Sequence, residues 1–183
     1  MGKVEKTARR RAGKRTAFAD SGNKVLAFSV TGPAMVVKDI PDLVAEVFRR
    51  LGGKTVVGVD VKSDADFVHV VERGLPLECV SILKKRFLSQ REVDAHIIPR
   101  RTLTHRKAKK GRLTRRESER VLRITRIVAL AERTFANAEK AHAWLRRPTR
   151  AMGGRMPLDL VGTEVGGRLI ENLLYRIAHG IGA

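Results

Sequence analysis

This 183-residue sequence has few cysteine and aromatic residues, and their scarcity argues against several kinds of bond and binding site. Cys79 is the single cysteine, so neither an intrachain disulfide nor an all-cysteine zinc site can form from these residues. Aromatic residues make up 4% of the sequence, which disfavours the stacking platforms that bind single-stranded nucleic acids. No apolar run reaches the roughly 18 residues of a membrane span. The basic N-terminus lacks the apolar stretch of a signal peptide, so we expect a cytoplasmic protein with no membrane partner.

Catalytic and metal-binding patterns are also missing. The histidines are scattered, with no pair at metal-ligand spacing on one helix face: His69, His96, His105, His142 and His179. No Ser-His-Asp order, Walker loop or paired acid motif stands out. The two Gly-Gly pairs at 153–154 and 166–167 do not follow a predicted strand, so we interpret them as a turn and a close helix contact. We therefore expect no enzyme, no metal and no cofactor.

Positive charge is what the sequence has in excess. Lys and Arg number 38 against 19 Asp and Glu, which gives a net charge of +19 and a pI of about 11.2. A globular protein this basic usually binds a polyanion, with nucleic acid the first candidate and an anionic membrane or an acidic protein next. Residues 1–22 are basic and poor in large apolar residues, so we predict a flexible basic arm. That arm is either a solvated tail or a phosphate contact.

Apolar periodicity and capping residues predict a mainly α-helical fold. The predicted helices run over 41–51, 63–72, 76–87, 90–96, 100–107, 114–135, 137–145, 157–161 and from 163 to the end. The longest, over 114–135, has a broad apolar stripe and should pack against more than one neighbour. In the last helix we expect Val165, Leu169, Leu173 and Ile177 to line one face. Residues 55–61 are β-prone and predict one short strand, whereas 25–37 are ambiguous.

The segment 89–112 predicts a helix-turn-helix. Ser89 and Glu92 form a capping-box pattern that opens a short helix, and Pro99 suits the first turn of the next. Residues 100–112 hold seven Lys or Arg and no acid. In a helix-turn-helix the second helix enters the DNA major groove. The alternative is a basic helix that is merely solvated.

The basic helix supplies our candidate DNA contacts. Leu103 should face the helix beneath, so that Arg100, Arg101, Thr104, Arg106 and Lys107 point outward. Arginine can bond a guanine edge bidentately, while Thr and Lys suit phosphates. The full set of predicted DNA-binding residues is Arg100, Arg101, Thr102, Thr104, His105, Arg106 and Lys107.

The C-terminal third carries a second pattern. It consists of Trp144-Leu145, Pro148, Gly153-Gly154, Pro157-Leu158-Asp159-Leu160, Thr163, Gly166 and Arg176-Ile177. These residues and their spacing resemble the Xre/MbcA/ParS toxin-binding domain of bacterial type II toxin–antitoxin systems. The basic helix and the long helix after it look like the DNA-binding part that precedes this domain in the family. The resemblance covers about 51–183, and its form is similar to the antitoxins paired with RES-domain toxins, which degrade cellular NAD.

We therefore expect the basic arm (1–22), which lies outside the resemblance, to be followed by an Xre-like helix-turn-helix DNA-binding domain (23–135) and a small helical toxin-binding domain (136–183). The resemblance implies an antitoxin that binds and occludes a RES-domain toxin, and that represses its own operon by binding double-stranded operator DNA as a homodimer. The implied toxin contacts are Trp144, Arg168, Glu171, Tyr175, Arg176, His179, Gly180 and Ile181.

Two features of the C-terminal third bear on the implied toxin contacts. By composition alone a single Trp on an amphipathic helix is more often a core residue than an interface anchor. Many relatives end with an aromatic residue, whereas Ile181-Gly182-Ala183 offers none.

A stand-alone helix-turn-helix transcriptional regulator without a toxin partner is the alternative that the residues leave open. A small enzyme or an RNA-binding protein has less support.

Overall fold

The computed structural model describes residues 41–181, and helices dominate that range. They are α1 (Pro41–Arg50), α2 (Gly53–Val57), α3 (Asp64–Arg73), α4 (Leu77–Arg86), α5 (Gln90–His96), α6 (Arg100–Ala108), α7 (Arg115–Phe135), α8 (Ala138–Leu145), a 3₁₀ helix (Arg150–Met152), α9 (Pro157–Leu160) and α10 (Glu164–Ala178). The prediction of a mainly α fold is confirmed. The predicted arm at 1–22 and the ambiguous segment 25–37 lie outside the described residues.

Side-chain caps determine where most of these helices begin. Ser63, Ser89 and Thr114 each accept a bond from the backbone N–H three residues later, and the acid at that position bonds back to the cap. Asn137 and Thr163 cap α8 and α10 in the simpler one-way form. Each cap satisfies backbone N–H groups that the first turn of a helix leaves unpaired. The helix starts predicted at these positions are therefore confirmed.

The long helix α7 is the centre of the described unit. It contacts α1, α3 and α4 as well as α8 and α10. Of its predicted stripe, Val121, Ile124, Val128 and Ala131 are buried and Phe135 is partly buried. Ile127 is buried beside them. A helix with apolar residues on so wide an arc must pack against several partners. The helix-turn-helix region and the C-terminal helices thus share one core and one compact unit.

The strand predicted over 55–61 is wrong, because residues 53–57 form the short helix α2. Gly52 and Gly58 adopt positive φ angles of 101° and 86° and bracket this single helical turn. Val57 and Val61 both lie in the core. Their packing outweighs the β preference of a Val-rich run, since β propensity largely reflects a pleated, half-buried environment that is not formed here.

The face predicted for the last helix is also wrong at its start, because Val165 is 78% exposed. The buried residues of α10 are Gly166, Gly167, Ile170, Leu173 and Leu174. The helix is turned so that its two glycines face the rest of the unit. A Cβ on Gly166 would lie 2.0 Å from the carbonyl oxygen of Leu160, so only glycine permits this approach.

Candidate functional site

Helices α5 and α6 form the predicted helix-turn-helix. The turn between them is held by apolar residues, since Val93, Ile97 and Ile98 are all buried. The backbone N–H groups of Ile97 and Ile98 both donate to the carbonyl of Val93, which closes α5 tightly. Because α6 has no fully buried residue, it lies on the surface of the unit. Leu103 packs partly against the core, as predicted.

Most of the predicted DNA contacts lie on the exposed side of α6. Arg100, Arg101, Thr104, His105 and Lys107 are exposed, and Thr102 is half-buried. The Thr104 hydroxyl donates to the carbonyl of Arg100 at 3.0 Å. None of Arg100, Arg101 and Lys107 forms an ion pair with another residue of the described range. These three cations are therefore available to an external anion.

The expectation that Arg106 points outward is wrong. Its guanidinium forms an ion pair with Glu117, and it also donates to the carbonyl of Arg112 at 3.5 Å. The Arg106 side chain is only 23% exposed. Burial raises the pKa of Glu117, but the hydrogen bonds from Arg106 and Thr114 lower it more, so the pKa lies below the usual range. Arg106 therefore neutralises an internal carboxylate and is not a free cation.

The second candidate surface is the exposed side and end of α10. Arg168, Arg176, His179, Gly180 and Ile181 are exposed, while Glu171 and Tyr175 are half-buried. The N–H of Ile181 donates to the carbonyl of Arg176, and that of Gly180 to the carbonyl of Ile177. Together with the φ of +64° at Gly180, these bonds form a Schellman motif. This motif holds Ile181, which is 51% exposed, in a defined position.

Aromatic contacts stiffen this end of the helix. The rings of Tyr175 and His179 lie 4.0 Å apart, and Nδ1 of His179 lies 2.9 Å from the carbonyl oxygen of Tyr175.

Two other predicted toxin contacts are partly buried. Burial raises the pKa of Glu171, and the neighbouring Glu164 adds to that rise, whereas Arg126 and Arg123 oppose it. Trp144 is partly buried and packs on Phe135, with ring centroids 5.5 Å apart. The Trp144 ring thus belongs partly to the core.

Sequence reasoning missed the contacts of Arg146, which join the end of α8 to the start of α5. Its Nε and Nη2 atoms lie 2.6 and 3.0 Å from the two carboxylate oxygens of Glu92, at the start of α5. Nη2 also donates to the carbonyl of Phe87 at 2.7 Å, and the guanidinium lies 4.4 Å from the centroid of that ring. The residues involved are more than 50 positions apart, so no local motif could reveal the contact. The capping box of Ser89 indicated only that Glu92 would be engaged.

Neither a metal centre nor a membrane span emerges from the described residues. No group of three or more His, Cys, Asp or Glu side chains in 41–181 is arranged to hold a metal ion. No helix in that range is both long and apolar enough to cross a bilayer. A cleft with a cavity volume of about 670 Å³ is lined by residues of α1 and of the junction between α7 and α8.

Two family models match the parts of the chain that carry these surfaces. An antitoxin Xre-like helix-turn-helix domain matches residues 66–126, which include α4 to α6. The antitoxin Xre/MbcA/ParS C-terminal toxin-binding domain matches residues 130–180. Together the two models support an Xre/MbcA/ParS-type antitoxin. The resemblance recognised in the sequence is thereby confirmed, and this family is a regulatory, non-enzymatic kind of protein.

Individual relatives match at 27% to 38% identity. An Antitoxin Xre from Pseudomonas putida is 37% identical over 103 residues, which cover 56% of this chain and 64% of the relative. An Antitoxin Xre from Yersinia enterocolitica is 38% identical over 85 residues, or 46% of this chain and 57% of the relative. A Prs ADP-ribosylating antitoxin from a Sphingobium species is 27% identical over 133 residues, or 64% and 81%. The chain thus spans less than two thirds of the Xre relatives' length.

Proposed function

We propose that this protein is the antitoxin of a type II toxin–antitoxin system. It binds and sterically occludes a RES-domain toxin that degrades NAD, and it represses its own operon by binding operator DNA as a homodimer in the cytoplasm. The observation that carries the proposal is the exposed basic helix α6 in the Xre-like helix-turn-helix, in one compact unit with the exposed end of α10. Residues 23–135 serve DNA binding and 136–183 serve toxin binding.

The DNA-binding half follows from the position of α6. A recognition helix contacts base edges through residues near its N-terminus, which here are Arg100 and Arg101. Thr102, Thr104, His105 and Lys107 bind phosphates or neighbouring bases. Arg106 acts through Glu117, holding α6 against α7. A symmetric dimer then reads two half-sites about one helical turn apart.

The toxin-binding half requires no chemistry, because covering the cleft of an enzyme is sufficient to inhibit it. Ile181 is an exposed apolar anchor at the end of α10. The polar rim is formed by residues along the exposed side and end of α10, namely Arg168, Glu171, Tyr175, Arg176, His179 and Gly180, with Trp144 as a further anchor. Apolar anchors within a polar rim are the usual anatomy of a protein interface. The Schellman motif limits the entropy that this end loses on binding.

Charge reversal separates the two activities. We expect R100E/R101E to lose binding to the DNA upstream of its own gene in fluorescence anisotropy, yet still to restore growth when co-expressed with the proposed toxin, a RES-domain protein. The matched control is K54E/K140E, which reverses two exposed lysines outside α5 and α6. The variant I181D should show the opposite pattern. If R100E/R101E still binds the DNA, the assignment of α6 is wrong.

The same experiment tests the alternative of a regulator without a toxin. Sequence-specific DNA binding, combined with failure to co-purify with or to neutralise the RES-domain protein, would support the stand-alone regulator. Sedimentation of the free protein and of its DNA complex measures whether the DNA-binding species is the proposed dimer.

A further inference from the structure

The segment that follows α8 is basic, free of acids and rigid. Between Arg147 and Leu158 there are three arginines and no Asp or Glu. Arg147, Arg150 and Arg155 are all exposed, and none of them forms an ion pair within the described range. We call residues 147–155 the arginine loop. Its three cations lie in the region matched by the toxin-binding model, outside the helix-turn-helix match.

Backbone bonds hold the arginine loop in one shape. The N–H of Thr149 donates to the carbonyl of Arg155, and the N–H of Gly154 donates to the carbonyl of Thr149, each at 3.1 Å. Met152, between them, is buried and attaches the loop to the core. A loop tied down in this way presents its arginines with little loss of backbone entropy on binding.

The contacts of Arg146 with Glu92 and Phe87 fix the position at which the arginine loop begins. Arg146 immediately precedes the loop and contacts the first turn of α5, the first helix of the helix-turn-helix. Phe87 follows directly on the exposed Lys85 and Arg86 at the end of α4. The arginine loop therefore starts beside the helix-turn-helix. Its start also lies near Phe87, which directly follows two further exposed cations.

We propose that the arginine loop binds phosphates of double-stranded DNA next to the groove that α6 enters. The first helix of a helix-turn-helix crosses the DNA backbone, and the loop directly follows Arg146, which is bonded to that helix. Arginine and backbone groups of this kind supply contacts that position a protein on DNA without reading its sequence. This inference rests on the proposed DNA binding of α6 and adds a DNA contact to the toxin-binding region.

Salt dependence tests the proposal, because each phosphate contact contributes about 0.9 to the slope of log affinity against log salt. The full-length variant R147Q/R150Q/R155Q should bind the upstream DNA more weakly, with a slope shallower by up to about 2.7 if all three contacts are lost. Binding to an unrelated duplex of equal length should weaken by a similar factor. The variant R147K/R150K/R155K keeps the charge and should keep most of the slope.

The matched control is R49Q/R133Q/K140Q, which removes three exposed cations near the opposite end of α8. It should leave the salt slope unchanged. The proposal is overturned if the loop variant keeps the wild-type slope, or if it loses binding to the RES-domain protein while DNA binding stays intact. If instead the proposed DNA binding by α6 is wrong, R100E/R101E should bind DNA as the wild type does.

Discussion

The ion pair between Arg106 and Glu117 connects the exposed helix α6 to the first turn of α7. Glu117 is also the acid of the capping box that starts α7, and it accepts from the N–H of Thr114 at 2.7 Å. One carboxylate thus starts the central helix and holds α6 in place. The orientation of the candidate recognition helix therefore depends on a residue eleven positions beyond Arg106.

We expect Glu117→Gln to lower the free energy of unfolding by about 1–2 kcal/mol, because it weakens two charge-assisted hydrogen bonds in a half-buried place. Urea unfolding followed by circular dichroism measures the change. The control Glu119→Gln removes the partner of the exposed Arg115, and it should cost less than about 0.5 kcal/mol. Equal losses in both variants would contradict a special role for Glu117.

Acid should destabilise the protein through three half-buried glutamates. Burial raises the pKa of Glu92, Glu117 and Glu132, but hydrogen bonds outweigh it: from Arg146 and Ser89 for Glu92, from Arg106 and Thr114 for Glu117, and from Arg50 and His142 for Glu132. Each pKa therefore falls below its ordinary value of 4.5.

A lowered folded-state pKa means that the stabilisation is complete above the unfolded pKa and disappears as the pH falls through the folded one. We expect the urea midpoint to be constant near neutral pH and to drop once the pH falls below about 5. Glu117→Gln should show a smaller drop than the wild type, since it cannot take up that proton. A drop of the same size in both proteins would count against this account.

Close packing at Gly166 predicts a large effect of a single methyl group. In Gly166→Ala the new Cβ would meet the Leu160 carbonyl oxygen at 2.0 Å, a contact that requires backbone movement. We expect a loss of about 2 kcal/mol or more in thermal or urea unfolding. Gly162→Ala is the matched control, because nothing lies within 4 Å of its Cβ position. Similar stability of the two variants would disprove the close approach.

The single cysteine should be unreactive in the folded protein. Burial raises the pKa of Cys79 to about 12, the nearby Glu78 adds to this effect, and its Sγ donates to the carbonyl of Leu51 at 3.3 Å. Since the thiolate is the nucleophile, iodoacetamide at pH 8 should leave the native protein unmodified. Mass spectrometry should find one adduct per chain after unfolding in urea. Rapid labelling without denaturant would mean that Cys79 is accessible.

Local features of this protein were predictable from its sequence, because their causes lie within a few residues. The caps at Ser63, Ser89, Thr114, Asn137 and Thr163 each act on a backbone group three positions away. The stripe of α7 follows from a period of 3.6 residues. The motif pattern of the C-terminal third was also sufficient to recognise the family.

Other features were decided only by the tertiary structure, because they depend on residues far apart in the chain. Arg106 turns inward to Glu117, Val165 is exposed because α10 packs on its glycines, and Arg146 reaches Glu92 across 54 positions. Sequence periodicity marks which residues of a helix are apolar, but the neighbour that packs against the helix selects the buried face. Likewise, the charge of an arginine is evident from the sequence, whereas its availability to DNA depends on whether a carboxylate lies within reach.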